Sequence, residues 1–338
     1  MIAFPFKGKG LFINNLRLQS IDKWIEKCKA AGASWVAIKV DKWEHNDLYV
    51  SYGNAFRAAG IGVVAWQYVY ADNPTVRANQ ALRDIARLGA VAFFVDAEGP
   101  FNKKGMGPTA RTYMNILVPA LHAKGIPVGL CSYRFPSLQP NFPWVEFGTG
   151  IDFHAPQVYW VGSHNPGQQL KASVLELREL VGVPFIPAGA SYSEKSKTAS
   201  GVSFVFRATP AEIQEFLVTA KQIGCPAAIM WYADEVFSEK WWEFRGSSVP
   251  LRQAWLSTIA GFDWEGVAIS PPPLPPAGAL YQVIITATVL NVRKGPGSTF
   301  SVVGTVVKDT PCWVFQESPG WCRIETDRWV SSAYVKKV

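Results

Sequence analysis

The first 269 residues alternate about eight times between apolar, β-rich runs and amphipathic stretches, and no other feature restricts the fold as strongly. The apolar runs are residues 10–14, 34–40, 61–70, 90–98, 126–133, 152–160, 183–190 and 227–235. Because these runs are continuously apolar, they indicate parallel strands covered by helices. Eight such units predict an α/β fold, a (β/α)8 TIM-like barrel. The structural alternative is an open doubly wound sheet, whose nucleotide-binding versions carry a glycine fingerprint that this sequence lacks.

The helices between the runs are predicted from their capping residues as well as from their periodicity. Several of these stretches start at Ser, Thr or Asn and end at Gly, as capped helices do. The stretches are residues 20–32, 73–89, 108–125, 167–182 and 209–224.

A proline-rich stretch, SPPPLPPAGA at residues 270–279, marks a domain boundary. Its prolines favour extended polyproline II and cannot sustain a helix or an inner strand, so we interpret it as a stiff linker. It separates a barrel domain of residues 1–269 from a small domain of residues 280–338. The small domain has short β-branched and aromatic runs between Gly-Pro-Gly, Lys-Asp and Pro-Gly turns, which predicts a small all-β barrel.

Composition describes a globular protein and argues against several partners. With 338 residues, 49% of them hydrophobic and 17% charged, the chain can bury a large core. The net charge is +7, but Lys and Arg are scattered, so we predict no nucleic-acid partner and either ordinary surface charge or attraction to a polyanion such as a bacterial wall. No segment reaches the roughly 18 apolar residues of a membrane span, so we expect no membrane insertion. No export signal is visible, so we expect synthesis in the cytoplasm. We also expect a monomer.

Cysteine and histidine spacing argues against disulfides and metal sites. The five cysteines are widely spaced and form no C-x-x-C motif, which predicts buried free thiols. The four histidines lack the H-x-x-x-H spacing of a zinc amidase or peptidase. We therefore expect neither a metal nor any other cofactor.

Two acids close the fourth apolar run, AVAFFVDAEGPF at residues 90–101. Asp96 and Glu98 are two positions apart, so an extended chain points both to the same side with Cα atoms about 6.5–7 Å apart. Functional side chains of a parallel barrel collect at this carboxyl end of the strands. Two carboxyl groups in a partly apolar site suppress each other's ionisation, and an acid beside a carboxylate is what glycoside hydrolysis requires. The alternative is that Asp96 caps a turn and Glu98 is a solvated loop residue.

Aromatic and amide side chains close other strands, in the pattern of a saccharide groove. The candidate substrate-binding residues are Asn14, Trp66, Tyr68, Gln157, Tyr159, Trp160 and Trp231. Trp160 and Trp231 each lie beside a polar strand end and are the preferred sugar platforms. The alternative is that about half of these aromatics fill the core.

The FFVDAEG stretch resembles the muramidase-type glycoside hydrolases of the Chalaropsis lysozyme group, which have a D-x-E at the end of the fourth strand. This resemblance implies that Glu98 is the general acid and Asp96 its carboxylate partner. It also implies that Asp234, at the eighth strand, replaces another acid of the family. That family places an aspartate at the end of the first strand, where this chain has Asn14 and Asn15.

The small domain resembles the bacterial SH3-type domain across nearly all of residues 280–338. The stretches that carry this resemblance are LNVRKGPGSTFSVVGTV and ESPGWCRIETDRWVSSAYV. The resemblance implies binding to cell-wall peptides or glycans, with Trp313, Trp321 and Tyr334 as candidate wall-binding residues.

These patterns lead to a peptidoglycan-cleaving glycosidase as the first hypothesis, a phage-type endolysin or particle-borne lysin that cuts β-1,4 bonds between N-acetylated amino sugars at the bacterial wall. The second hypothesis is a wall-binding or structural protein of a phage tail or injection apparatus with an inactive barrel, suggested by Asn14 and Asn15. An amidase or peptidase acting on the stem peptide is disfavoured by the missing metal-ligand spacing.

Overall fold

The chain forms two compact units, Met1–Ser270 and Pro271–Val338. The computed structural model describes residues 1–40, 47–197, 201–240, 246–265, 279–307 and 310–337. Apart from Ala279, the predicted linker at residues 270–279 lies outside the described residues.

The first unit is built on a closed barrel of eight parallel strands. The barrel strands are β1 (Gly8–Ile13), β2 (Trp35–Lys39), β3 (Gly62–Tyr68), β4 (Phe93–Asp96), β5 (Val128–Tyr133), β6 (Phe153–Val158), β7 (Ala188–Ala190) and β10 (Ala227–Trp231). Neighbouring strands pair in chain order, and β10 closes the barrel on β1 with Gly8 opposite Ala227. Each strand overlaps one of the eight apolar runs. The predicted barrel is confirmed, and the open-sheet alternative is wrong.

Helices lie between the barrel strands and after the last of them. They are α1 (Ile21–Ala30), α2 (Tyr49–Ala58), α3 (Pro74–Leu88), α4 (Gly107–His122), α5 (Trp144–Gly148), α6 (Pro166–Leu180), α7 (Pro210–Gln222), α8 (Ala233–Val236) and α9 (Val249–Gly261). Ser20 and Asn73 cap α1 and α3 by accepting hydrogen bonds from backbone N–H groups, and Thr209 and Glu212 form a reciprocal capping box on α7. None of the helices described here is long and apolar enough to cross a membrane.

The barrel interior is a packed core that supports the carboxyl ends of the strands. The buried side chains that fill it are Phe12, Trp35, Ala37, Val64, Trp66, Ala92, Phe94, Cys131, Phe153, Ala155, Ile186, Ala188, Ala227 and Ile229. Two glycines leave space for the largest of them: a Cβ on Gly10 would lie 2.4 Å from the Trp35 ring, and one on Gly129 would lie 1.9 Å from the Phe153 ring. Since side chains fill the interior, the carboxyl-end mouth is the part of the barrel that can hold a ligand.

An antiparallel hairpin follows β7 before the chain enters α7. Its strands are β8 (Ser193–Lys197) and β9 (Ser203–Arg207), with Ser193 opposite Arg207. Because the hairpin starts three residues after the end of β7, it lies at the carboxyl end of the barrel. The sequence did not predict it, since its β8 segment SEKSK is polar and exposed or half-buried throughout.

In the described residues of the second unit, eight short antiparallel strands form two sheets. The strands are β11 (Tyr281–Ile285), β12 (Val289–Arg293), β13 (Val302–Val307), β14 (Pro311–Val314), β15 (Gln316–Ser318), β16 (Trp321–Glu325), β17 (Arg328–Ser331) and β18 (Val335–Lys337). One sheet has the order β14-β11-β18 and the other the order β13-β12-β17-β16-β15. A small core that includes Val283, Val292, Val314 and Val330 is buried within this unit. The predicted all-β architecture is therefore present.

Candidate active site

A cavity of about 630 Å³ opens at the carboxyl ends of the barrel strands. Its lining residues are Phe12, Asn14, Lys39, Trp66, Tyr68, Asp96, Glu98, Cys131, Arg134, Gln157, Tyr159, Val161, Tyr192, Glu194, Ser196 and Trp231. This list contains every barrel residue that the sequence predicted for catalysis or substrate binding except Asp234 and Trp160. The catalytic and sugar-binding roles of the residues in the cavity remain predictions.

Asp96 and Glu98 share one hydrogen-bond donor at the base of the cavity. The side-chain amide nitrogen of Gln157 lies 2.8 Å from Asp96 Oδ1 and 2.6 Å from Glu98 Oε1. An NH2 group has two hydrogens, so it can donate one to each carboxyl group. Asp96 is only 6% exposed, whereas Glu98, in the turn after β4, is half-buried and faces the cavity. The amide therefore holds both acids in one place, with Glu98 nearer to a ligand.

The pair favours a proton on Asp96. Burial, the negative charge of Glu98 and a hydrogen bond with the Glu98 carboxyl group raise the pKa of Asp96 well above its usual range. The Lys39 ammonium group and the Gln157 amide act in the opposite direction on this pKa. The raised pKa thus belongs to the deeper member of the pair, whereas the sequence assigned the proton-donor role to Glu98, and that role stays a prediction.

Aromatic rings form the floor and walls around this pair. The half-buried Trp231 ring lies 5.4 Å from both Phe12 and Trp66, centroid to centroid, and stacks on Tyr232 at 4.8 Å. The peptide bond between Trp231 and Tyr232 is cis. Trp66 is only 1% exposed, so it supports Trp231 from below. A half-buried indole on a rigid aromatic base is the kind of surface on which the C–H face of a sugar ring packs.

Tyrosine hydroxyl groups add hydrogen-bond donors to the cavity wall. Burial, together with the charges of Glu98 and Asp96, raises the pKa of Tyr68 to about 12. Burial also raises the pKa of Tyr159, and the Tyr159 ring contacts Tyr192 edge to face at 5.5 Å. Both Tyr68 and Tyr159 therefore remain protonated near neutral pH and can donate to a substrate oxygen.

Trp160 was predicted as a sugar platform, and the structure corrects this. Its ring is fully buried between the barrel and the helices, where it packs 5.6 Å from Phe216 and its Nε1 donates to Glu212 Oε2 at 3.1 Å. Successive side chains of a strand point to opposite faces, so Gln157 and Tyr159 turn into the barrel mouth while Trp160 turns outward. Trp160 is a structural residue of the outer core.

Asp234 was predicted as a catalytic acid, and it does not line the cavity. It belongs to the short helix α8 beyond the end of β10, is 3% exposed, and its Oδ1 accepts a hydrogen bond of 2.8 Å from the backbone N–H of Asn14. Asn14 itself faces the cavity. Asp234 is therefore placed to position the end of β1, not to transfer a proton to a substrate.

Four charged or phenolic cavity residues were missed by sequence reasoning. Lys39 ends β2, and its Nζ lies 4.7 Å from the centre of the Trp66 ring. Arg134 follows β5, while Tyr192 and Glu194 come from the connection after β7 and from its hairpin. Lys39 and Arg134 could have been predicted from the sequence, because each lies at a strand end, where the functional side chains of a parallel barrel collect.

The described cysteines form no disulfide bonds. All five cysteines, each in a described segment, are free thiols, and four of them, Cys28, Cys131, Cys225 and Cys322, are buried. In the described ranges, no group of three or more His, Cys, Asp and Glu side chains is arranged to hold a metal ion.

The small domain has a cavity of its own, of about 510 Å³. Trp321 lines it together with Tyr281, Glu317 and Lys337. The Tyr281 hydroxyl group donates to Glu317 Oε1, and Lys337 Nζ lies 3.9 Å from the centre of the Tyr281 ring. Of the three predicted wall-binding residues, Trp313 and Tyr334 lie outside this lining, although Tyr334 is 51% exposed.

Comparison with protein families identifies the small domain. Residues 288–336 match the family model of the bacterial SH3 domain. This match agrees with the resemblance in the sequence and with the two small antiparallel sheets. A search of curated protein sequences found no significant match to the chain.

Comparison with solved structures finds relatives of the barrel fold. The spore cortex-lytic enzyme SleL from Bacillus megaterium QM B1551 is 10% identical with a TM-score of 0.50, over 77% of this chain and 76% of that one. The catalytic domain of a hyperthermophilic chitinase from Pyrococcus furiosus is 11% identical with a TM-score of 0.56, over 78% and 98%. Active domain 2 of the thermostable chitinase from the same organism, solved as catalytic-site mutants with chito-oligosaccharides, is 11% identical with a TM-score of 0.55 over the same shares. At identities this low, the structural similarity shows a common fold and nothing more.

Proposed function

We propose that the barrel is a glycoside hydrolase that cleaves bonds between N-acetylated amino sugars in bacterial peptidoglycan. The observation that carries this proposal is the Asp96, Glu98 and Gln157 cluster at the base of an aromatic cavity, at the end of the barrel where enzymes of this fold place their chemistry. Two kinds of structure with the same fold are a spore cortex-lytic enzyme and chitinases, one of the latter complexed with chito-oligosaccharides, and these names support an amino-sugar glycan as the substrate here.

In the proposed reaction, Glu98 is the proton donor. The pair holds one proton, and the hydrogen bond between the two carboxyl groups lets it pass from the buried Asp96 to Glu98. Glu98 then protonates the glycosidic oxygen as the bond from that oxygen to the anomeric carbon breaks. Tyr68 and Tyr159 are placed to hydrogen-bond the sugar, and the Trp231 ring supports its apolar face.

The nucleophile in this proposal comes from the substrate. Asp96 is buried, favours its protonated form and is bound to Gln157, so it is a poor nucleophile. The acetamido oxygen of the sugar can attack the anomeric carbon instead, as in substrate-assisted glycosidases. Glu98, now a carboxylate, takes a proton from a water molecule that attacks the same carbon and reopens the acetamido group. This route needs no acid at Asn14, and it requires an N-acetylated sugar.

The small domain supplies the wall contact in this proposal. Its match to the bacterial SH3 domain and the cavity with Trp321 and Tyr281 support binding to wall peptides or glycans. We accordingly propose that the protein acts at the bacterial cell wall, as a lysin of phage or particle origin.

The proposed function is tested by digesting purified peptidoglycan with the whole protein and identifying the new ends by mass spectrometry. We expect new reducing sugar ends, and early anomers with the configuration of the substrate, because two inversions give retention. The reducing sugar also shows which of the two alternating bonds is cut. New amino or carboxyl ends of peptides would indicate an amidase or peptidase instead, and binding without soluble fragments would indicate a wall-binding protein with an inactive barrel.

Trp231 and Trp160 were both predicted as sugar platforms, but we expect their substitution to have different effects. Trp231→Leu removes the partly exposed ring of the cavity floor, and we expect kcat/KM for amino-sugar chains to fall by roughly 10- to 100-fold, since a stacked ring contributes about 1–3 kcal/mol. Trp160→Phe removes a hydrogen bond in the outer core, so we expect unchanged kinetics and about 1–3 kcal/mol lower stability. Steady-state kinetics and chemical denaturation measure the two effects, and equal kinetic losses would contradict this assignment.

A further inference from the structure

Arg134 is a cation on the cavity wall that the proposed reaction does not use. It follows directly after β5, and its Nε donates to Gln169 Oε1 on α6 at 2.9 Å. The centre of its guanidinium group lies 5.2 Å from the centre of the Phe135 ring. One nitrogen and one face of the guanidinium group are therefore held by the protein.

The two terminal nitrogens of Arg134 are available to a ligand. Among the residues that the structure describes, no acceptor hydrogen-bonds these nitrogens and no carboxylate forms an ion pair with them. Burial lowers the pKa of Arg134, with the neighbouring Tyr192 acting in the opposite direction. A half-buried guanidinium group stays charged and is costly to leave without an anionic partner. An anion in the cavity would supply that partner.

The other charged cavity residues have different surroundings. Lys39 lies over the Trp66 ring and acts electrostatically on Asp96, so its charge is directed to the acid pair. Glu194, on the hairpin, is an acid whose pKa burial raises, and it offers no positive charge to an anion. Arg134 is thus the cation best placed to receive an anion away from the acids.

We propose that Arg134 binds a carboxylate carried by the substrate, and so selects wall glycan over neutral amino-sugar chains. This inference rests on the proposed function. In peptidoglycan every second amino sugar bears a lactyl ether, whose carboxyl group is either free or linked to a peptide with carboxylates of its own. A chito-oligosaccharide has a similar backbone without either carboxylate. The planar fork of two terminal N–H groups matches a carboxylate geometrically, which an ammonium group cannot do.

The test compares three substrates: a chito-oligosaccharide, a peptide-free peptidoglycan strand and a peptide-bearing strand. For Arg134→Met we expect kcat/KM on at least one carboxylate-bearing strand to fall by roughly 10- to 100-fold, because a hydrogen-bonded charge pair is lost. The fall on the chito-oligosaccharide should be several-fold smaller. The strand that shows the larger fall identifies the source of the carboxylate. Arg134→Lys keeps the charge without the fork, so it should recover part of the loss.

A matched control and a binding measurement keep the test decisive. Arg83→Gln removes an exposed arginine on α3, outside the cavity, and should change none of these rates. Dissociation constants for the three glycans are measured in a Glu98→Gln background with and without Arg134→Met, so the inference is tested even if the protein cleaves none of them. Equal losses on all three glycans, or no loss on either carboxylate-bearing strand, would overturn the role of Arg134 while leaving the proposed function standing.

Discussion

Glu98→Gln is expected to lower the rate of glycan cleavage by about 10²–10⁴-fold, which is the usual contribution of a positioned general acid. The amide is nearly the same shape as the acid, so Gln157 and the cavity wall can stay in place, but an amide cannot donate a proton to the leaving oxygen. The release of reducing ends from peptidoglycan measures the effect. Thermal unfolding should change little, because Glu98 is only half-buried and faces the cavity.

The leaving group provides a sharper version of this experiment. An aryl glycoside departs without full protonation, so Glu98→Gln should lose much less activity on aryl glycosides of N-acetylglucosamine than on natural chains. Glu26→Gln, an exposed glutamate of α1, is the matched control and should retain wild-type rates on both. Equal losses of Glu98→Gln on the two substrate types would remove Glu98 from the acid role.

Asp96→Asn is expected to stabilise the protein and to inactivate it. A carboxyl group whose pKa is raised on folding binds more protons in the native state than in the unfolded state, so stability falls as pH rises from about 3.9 through the raised pKa. Asparagine does not titrate, and its oxygen can still accept from Gln157. We therefore expect a gain in the free energy of unfolding of about 1–3 kcal/mol at neutral pH, and almost none below pH 4.

Chemical denaturation of the barrel between pH 3.5 and pH 8 measures this gain. Asp152→Asn is the matched control, because the buried Asp152 carboxylate accepts hydrogen bonds from the backbone N–H groups of Val128 and Ile2 and lies 2.7 Å from His122 Nε2. It should destabilise the barrel, since an amide removes one acceptor oxygen. A stability gain of Asp96→Asn that does not depend on pH would contradict the raised pKa.

We expect Asp96→Asn to lose activity for the same reason that it gains stability, which is that the raised pKa of Asp96 keeps a proton on the pair. Without Asp96 the pair loses the group that stores the proton, so we expect cleavage to fall by roughly 10²-fold or more. The alkaline limb of the pH profile of kcat/KM should also move to lower pH. An unchanged alkaline limb would show that Asp96 does not share the proton.

Much of this site could be predicted from the sequence, because it depends on residues that are close together in the chain. Asp96 and Glu98 share a face because side chains of an extended segment alternate with a period of two, whatever surrounds the strand. The same period could have separated Tyr159 from Trp160, since only one of two successive residues can face the barrel mouth. Asp234 was beyond this rule, because the chain enters α8 after β10 and leaves the strand geometry.

Local pattern by itself determined the alternation of strands and helices, the acid pair at the end of β4 and the small β domain, because each of these depends on residues close together in the chain. Barrel closure, which brings Gln157 to both acids, and the approach of Arg134, Tyr192 and Glu194 to one cavity were decided by the tertiary structure. The same holds for the raised pKa of Asp96. Contacts between strands 30 to 100 residues apart, and the exclusion of water that they cause, leave no mark in a short stretch of sequence.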